Sequence, residues 1–386
     1  MPEHLTPRRL DAPPAAARSP LRIGVVLENL DRSPDDPVFR GMALRVAEAN
    51  AGGGVAGHGV ELVFERADGA HRGAPENCRP AWAALAADPA VVGIVGPGIS
   101  DNCLSLLADV QAGQVPTVHW CGADDARGEW SFQFQWGSLP DESDFLADLL
   151  GSLGHRRVAV LRAGLVGERY AAAFAERADA AGIVVAASRA VRVDADDVVA
   201  EVAELQATVP DALVFLGMGR PTLSVGRATA TLGWQVPRFA NIAMLTAALA
   251  PDAAARDEGV VWVDQYDPGK ALVRRIHEAH RRVYGEPAPA TGHLGVGYDI
   301  LTLLLAGLGR APELTRAGLR AGLERVRNVP AATGGAGSIM GFGPWDRAAL
   351  KGRDMFLLRT LRGGSAVPFP TPGTHLPEPG PCRETA

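Results

Sequence analysis

The sequence predicts an α/β protein whose parallel sheets form two lobes, and three observations carry that expectation. Short apolar runs such as Leu21–Leu27, Val91–Val95 and Ala212–Gly217 alternate with helical patterns through most of the 386 residues, as in βαβ units. Several runs end in Gly-rich or polar loops that open helices, as Gly96-Pro-Gly-Ile-Ser-Asp-Asn102 does after Val91–Val95. The alternation also occurs twice, in two series separated by Phe132-Gln-Phe-Gln-Trp136. In such sheets ligands collect at the carboxyl ends of the strands. The loops at those ends carry small and neutral polar groups, which favours binding over chemistry.

The first series reads as strand Leu21–Leu27, a polar loop through Pro37, helix Phe39–Ala49, strand Val60–Arg66 and a helix from about Pro75 to Ala87. Pro75 suits a first helical turn, whereas Pro80 argues for a later start. Strand Val91–Val95, helix Asn102–Gln111 and strand Pro116–Trp120 complete it. Gly52-Gly-Gly54 follows a helix and precedes a strand, so it reads as a tight turn away from the ligand side rather than a phosphate loop.

Phe132–Trp136 reads as a strand crossing between lobes. The second series is helix Asp141–Leu153, strand Val158–Leu161, helix Glu168–Ala181, strand Ile183–Arg189, helix Val198–Thr208, strand Ala212–Gly217, helix Thr222–Leu232 and strand Arg238–Ala240. Gly233 and Pro237 mark the stop before that last strand. Val260–Tyr266 reads as a second crossing strand, followed by helices Ala271–Tyr284, His293–Leu308 and Arg316–Val326. Ser338–Phe342 and Asp354–Leu361 read as a closing hairpin. The expected division is a disordered Pro/Ala-rich arm over 1–20, a first lobe of 21–136 plus 267–335, a second lobe of 137–266 plus 336–363, and a Pro/Gly-rich tail over 364–386.

Composition narrows the function classes. With 47% hydrophobic and 21% charged residues the chain is an ordinary globular sequence, and its net charge of −6 gives no support to nucleic-acid partners. No window approaches eighteen uninterrupted apolar residues, so no membrane insertion is expected. The first residues carry no apolar leader and no lipid-anchor cysteine, so the sequence as it stands reads as cytoplasmic, and as extracytoplasmic if a leader precedes it. Cys78, Cys103, Cys121 and Cys382 show neither a CxxC pair nor zinc spacing. A disulfide between Cys78 and Cys103 stays open, although the missing leader argues for reduced thiols. No metal or cofactor is expected.

Several features in order resemble the type I periplasmic binding proteins, specifically the leucine/isoleucine/valine-binding branch of ABC-transporter solute receptors. They are Val25–Leu27 with its polar loop, Gly41–Gly57, Val95-Gly-Pro-Gly-Ile-Ser100, Gln114-Val-Pro-Thr-Val118, Gly259-Val-Val-Trp-Val263, Gly297-Tyr-Asp-Ile300, Phe342-Gly-Pro-Trp-Asp346 and Asp354-Met-Phe-Leu-Leu358. The likeness covers about residues 21–363. It implies two Rossmann-like lobes joined by crossing hinge strands, closing over a small-molecule ligand (an amino acid, an amide or a similar metabolite) that an ABC permease would receive. The alternatives are a cytosolic sensor of the same fold and an enzyme evolved on it.

The candidate site residues follow from strand ends and from this resemblance. Ser100, Asp101 and Asn102 open a helix, whose free N–H groups and positive dipole end suit an anion, or they are simply caps. The resemblance implies that this loop meets a ligand carboxylate; an Asp there points instead to a neutral or cationic group. His119, Trp120, Cys121 and Gly122 end the fourth strand, with Trp120 stacking on the ligand or packing in the core. A catalytic pairing of His119 with Cys121, or acid–base work by Asp124 and Asp125, has no further support. Relatives carry a Tyr-Gly step where this chain has Val166-Gly167, leaving Leu165 and Val166 as apolar contacts. Met218, Asn241 and Met244 follow later strands, and no acidic residue occurs in 241–250 to hold an α-ammonium group. Glu28 or Asp31 would supply that charge from the first loop, and Tyr266 lies where hinge and ligand roles overlap.

Overall fold

The computed structural model describes residues 18–370 apart from 29–35, 68–76, 249, 251, 290 and 352. In chain order the elements begin with β1 (Arg18–Leu27), α1 (Pro37–Ala51), β2 (His58–Arg66), α2 (Cys78–Ala87), β3 (Val91–Val95), α3 (Ser100–Gly113), β4 (Thr117–His119) and β5 (Ser131–Gln133). Next come α4 (Leu139–Ser152), β6 (Arg157–Ala163), α5 (Gly164–Ala180), β7 (Val184–Val191), α6 (Val199–Gln206), β8 (Ala212–Gly217), α7 (Pro221–Thr231), β9 (Arg238–Ala240), α8 (Met244–Ala248), α9 (Ala253–Asp257) and β10 (Val261–Asp264). The chain closes with α10 (Ala271–Tyr284), α11 (His293–Leu308), α12 (Arg316–Leu323), β11 (Val329–Pro330), β12 (Ile339–Met340), β13 (Leu350–Lys351), β14 (Leu357–Arg362) and β15 (Ser365–Pro368).

The described residues fall into two compact units, one within 18–139 and 265–357, the other within 140–264 and 358–370. The first holds a sheet of order β2-β1-β3-β4-β5 whose pairings are all parallel. Its strand order reverses between β1 and β3, the point at which an open α/β sheet leaves a crevice beyond its carboxyl ends. Ile23, Val25, Val95 and Phe132 from this sheet pack with Phe39 and Met42 of α1 and with Ile300 and Leu304 of α11. Asp36 caps α1 by accepting the Val38 N–H at 2.9 Å, with Pro37 next in sequence, where a missing N–H costs nothing. The seam between α1 and α11 is backbone on backbone. A Cβ on Gly41 would lie 2.1 Å from the Leu294 carbonyl oxygen, and one on Gly297 would lie 1.7 Å from that of Val38. Gly53 (φ 94°) and Gly54 (φ 74°) turn the chain after α1, as their sequence position suggested.

The second unit holds a sheet of order β15-β14-β10-β9-β8-β6-β7. Its β6–β10 pairings are parallel, and β14 and β15 form an antiparallel hairpin closed by Gly363 (φ 55°) and Gly364 (φ 78°). Two successive glycines with positive φ suit the primed two-residue turns of hairpins.

Several sequence expectations need correction. Residues 18–20, assigned to the arm, begin β1, and 365–368, assigned to the tail, form β15. Residues 336–357 lie in the first unit rather than the second. Ser338–Phe342 and Asp354–Leu361 do not pair with each other: Ile339–Met340 pairs with both Val329–Pro330 and Leu350–Lys351, and β14 pairs with β15. Of the two runs read as crossing strands, one supplies the edge strand β5 of the first sheet and the other supplies β10, inside the second. Cys78, Cys103 and Cys121 are free, so the open disulfide between Cys78 and Cys103 is absent; Cys382 lies outside the described residues. No helix among the described residues is long and apolar enough to cross a membrane.

Candidate functional site

The crevice between β1 and β3 is where the first unit's strand ends matter most, and Glu28 fills it. This residue follows the last residue of β1 and is only 4% exposed. Its carboxylate accepts the Gly98 N–H at 2.6 Å, the Ile99 N–H at 3.0 and 3.1 Å, and the Asn102 side-chain amide at 2.8 Å. These donors belong to the β3–α3 loop and the first turn of α3, where unsatisfied N–H groups and the helix dipole attract an anion. An acidic side chain of the protein therefore stands where the resemblance implied a ligand carboxylate. Asn102 is buried and engaged with Glu28, and Ser100 is buried beside it. Asp101 lies in the first turn of α3, half-buried. Asp31 lies outside the described residues.

Trp120 packs into the core of the first unit rather than standing at an open rim. It is 4% exposed, meets Phe39 edge-on at 6.4 Å, and lies so close to Gly98 that a Cβ there would be 2.1 Å from the indole Nε1. Only glycine lets the loop lie flat against this ring while turning its N–H toward Glu28. His119 and Cys121 are buried as well, with His119 Nδ1 3.3 Å from Cys121 Sγ, and Gly122 accepts the Leu139 N–H at 2.9 Å through its carbonyl. Burial pushes the Cys78 thiol up to about 12 and the Cys103 thiol well above its usual range, so neither is a reactive thiolate. Tyr266 stacks on His277 at 6.0 Å in the first unit and lines a small recess with Thr291 and Thr333.

The second unit repeats the arrangement with different parts. Glu142, in the first turn of α4, is fully buried and accepts the Tyr170 hydroxyl at 2.7 Å and the Ile242 N–H at 2.8 Å. No acidic residue occurs within 241–250, as the sequence reads, and the carboxylate that meets this loop is that of Glu142. It arrives from a helix a hundred residues earlier, which no local pattern announces. Asn241 is buried at the end of β9, and its Oδ1 accepts the Gly217 N–H at 3.4 Å, while its Nδ2 finds no partner. Met244, a candidate from its place after a strand, is buried in the core of this unit beside Phe215 and Val225.

The open part of this edge is apolar. Leu165 is 66% exposed and Met218 47%, and Val193, which sequence reasoning missed, is 48% exposed. They follow β6, β8 and β7, neighbours in the sheet with parallel strands, so all three stand at one carboxyl edge. Val166 is half-buried next to Leu165. Leu165, Val193 and Met218 therefore form an exposed apolar rim at these strand ends.

Known proteins place the chain. Residues 31–360 match the family model described as periplasmic binding protein. A periplasmic binding protein type 1 of Bordetella pertussis Tohama I has the same fold, with a TM-score of 0.78 and 19% identity over 91% of this chain and 100% of that one. An ABC transporter substrate-binding protein of Desulfitobacterium hafniense in complex with Leu gives a TM-score of 0.76 and 20% identity over 91% and 100%. A leucine-binding protein of Thermotoga maritima gives 0.73 and 19% over 91% and 98%. No curated protein matches the chain.

Proposed function

We propose that this chain, which belongs to the periplasmic binding protein family and is a binding protein rather than an enzyme, takes a small solute that has an apolar body and no free carboxylate at the β3–α3 loop. The observation that carries this reading is the Glu28 carboxylate on the N–H groups of Gly98 and Ile99. A second negative group there would meet like charge in a buried setting, which is costly. Leucine, bound by the Desulfitobacterium relative, carries such a carboxylate, whereas an amide, alcohol or amine of similar shape does not. Within the second unit, Leu165, Val193 and Met218 form an exposed apolar rim of their own at the strand ends, a surface suited to an apolar group. Delivery to an ABC permease completes the role, as the recognition component of a branched-chain amino acid-like transporter.

The test is a thermal-shift and calorimetry comparison of matched pairs, leucine against leucinamide and isovalerate against isovaleramide. The amides raise the melting temperature and the acids do not. Micromolar binding of leucine itself would sink the reading.

A further inference from the structure

Three soft donors converge inside the first unit. Cys103 comes from the first turn of α3, His119 ends β4, and Cys121 lies two residues further along. Their donor atoms all lie within 4.8 Å of one another. His119 Nδ1 stands 3.3 Å from Cys121 Sγ. Around a shared tetrahedral centre, with metal–nitrogen near 2.0 Å and metal–sulfur near 2.3 Å, a nitrogen and a sulfur stand about 3.5 Å apart. The observed spacing therefore needs little adjustment to admit an ion.

The surroundings favour a cation. All three residues are buried, at 5%, 2% and 1% exposure for Cys103, His119 and Cys121. Nδ1 is the His119 ring nitrogen that faces Cys121 Sγ, while Nε2 has no hydrogen-bond partner. The Glu28 carboxylate binds Asn102, the residue before Cys103, and adds negative charge close by. Thiolate and imidazole select thiophilic ions over Mg²⁺ or Ca²⁺.

We propose that Cys103, His119 and Cys121 form a binding site for a thiophilic d¹⁰ cation, Cu(I) or Zn(II). Two sulfurs and one nitrogen satisfy Cu(I), which accepts three ligands; Zn(II) takes a fourth, and backbone carbonyl oxygens are at hand, since Pro97 accepts from Cys103 Sγ at 3.5 Å and Ala123 from Cys121 Sγ at 3.7 Å. Loading releases the thiol protons to solvent and changes no oxidation state. The site is independent of the solute reading, since the trio lies within one unit and is closed to solvent. That closure makes loading during folding the expected route.

The experiment uses the full chain under reducing, anaerobic conditions, both as purified and after refolding with Cu(I) or with Zn(II). Metal per chain is measured after gel filtration, and affinity by competition with a chelator specific for each ion. About one equivalent of one ion is expected, falling to below a tenth in Cys103→Ser and Cys121→Ser and unchanged in Cys78→Ser and Cys382→Ser. X-ray absorption of the loaded wild-type chain, which needs no variant to fold, is expected to show two sulfur neighbours and one nitrogen. No retained metal in either preparation, metal that persists in both trio variants, or a shell of oxygen and nitrogen alone overturns the proposal.

Discussion

Glu28 accepts the backbone N–H of Gly98 at 2.6 Å, an interaction that closes the first unit's strand-end crevice with a group belonging to the chain itself. The bond is charge-assisted and buried, and the same carboxylate also serves Ile99 and Asn102. Glu28→Gln turns an amide NH₂ toward donors and lowers stability by about 1–3 kcal/mol. A urea melt with unchanged midpoint would contradict this.

Glu28→Ser acts on selectivity. It removes the resident carboxylate and leaves the Gly98 and Ile99 N–H groups to a solute. The ratio of acid to amide affinity in the matched pairs rises by about tenfold or more, the worth of roughly 1.4 kcal/mol. A ratio that stays fixed in calorimetry would show that the solute does not approach this loop.

Trp120 and Leu165 separate stability from binding. Trp120→Ala empties a packed position beside Phe39 and Gly98 and costs about 3–5 kcal/mol of folding stability. Leu165→Ala, at a residue 66% exposed, leaves stability within about 0.5 kcal/mol. It weakens solute binding about fivefold to thirtyfold, the value of about 1–2 kcal/mol of apolar contact. Paired melts and titrations of the two variants check both halves.

Tyr170→Phe leaves Glu142 bound to Ile242 but removes its hydroxyl donor. The expected loss is about 1–3 kcal/mol, read from chemical denaturation. No change would mean that the carboxylate is served equally well without the phenol.

Asp299 gives a pH signature. Burial is the main reason its carboxyl is raised to about 6, against the pull of the Ala332 and Thr333 N–H groups and of Lys270. In the unfolded chain the same group titrates near 3.9, so the folded state holds its proton more tightly. Its contribution to stability is therefore complete below about pH 4 and is lost as pH rises to about 6. The side-chain carboxyl carbon of Asp299, followed by NMR, is expected to titrate with a midpoint near 6; a midpoint near 4 refutes it.

Buried apolar runs were the legible part of the fold. Val91–Val95, Ala212–Gly217 and Arg238–Ala240 are strands at the bounds read from sequence, and Ala271–Tyr284 and His293–Leu308 are helices at theirs. Two-residue strands such as Ile339–Met340 carry no measurable period, so their partners could not be read. The site was less legible for a different reason. Glu28 and Glu142 reach donors 70 and 100 residues away, and such bonds leave no local trace. Val193 escaped because a lone valine after a strand looks like any other loop residue, and only the neighbouring of β6, β7 and β8 gives it company.

The glycine seam between α1 and α11 also bears on how the chain is made. The backbone of α1 at Gly41 is covered by Leu294, and β10 gains its neighbour β14 only from residues 357–362. On a ribosome adding roughly 5–20 residues per second, about 13–50 s separate the making of Gly41 from that of Leu294. The first unit's helix seam and the second unit's sheet are each completed only by segments made long after the elements they cover. Truncation before residue 293 strands the first, and truncation before residue 357 strands the second.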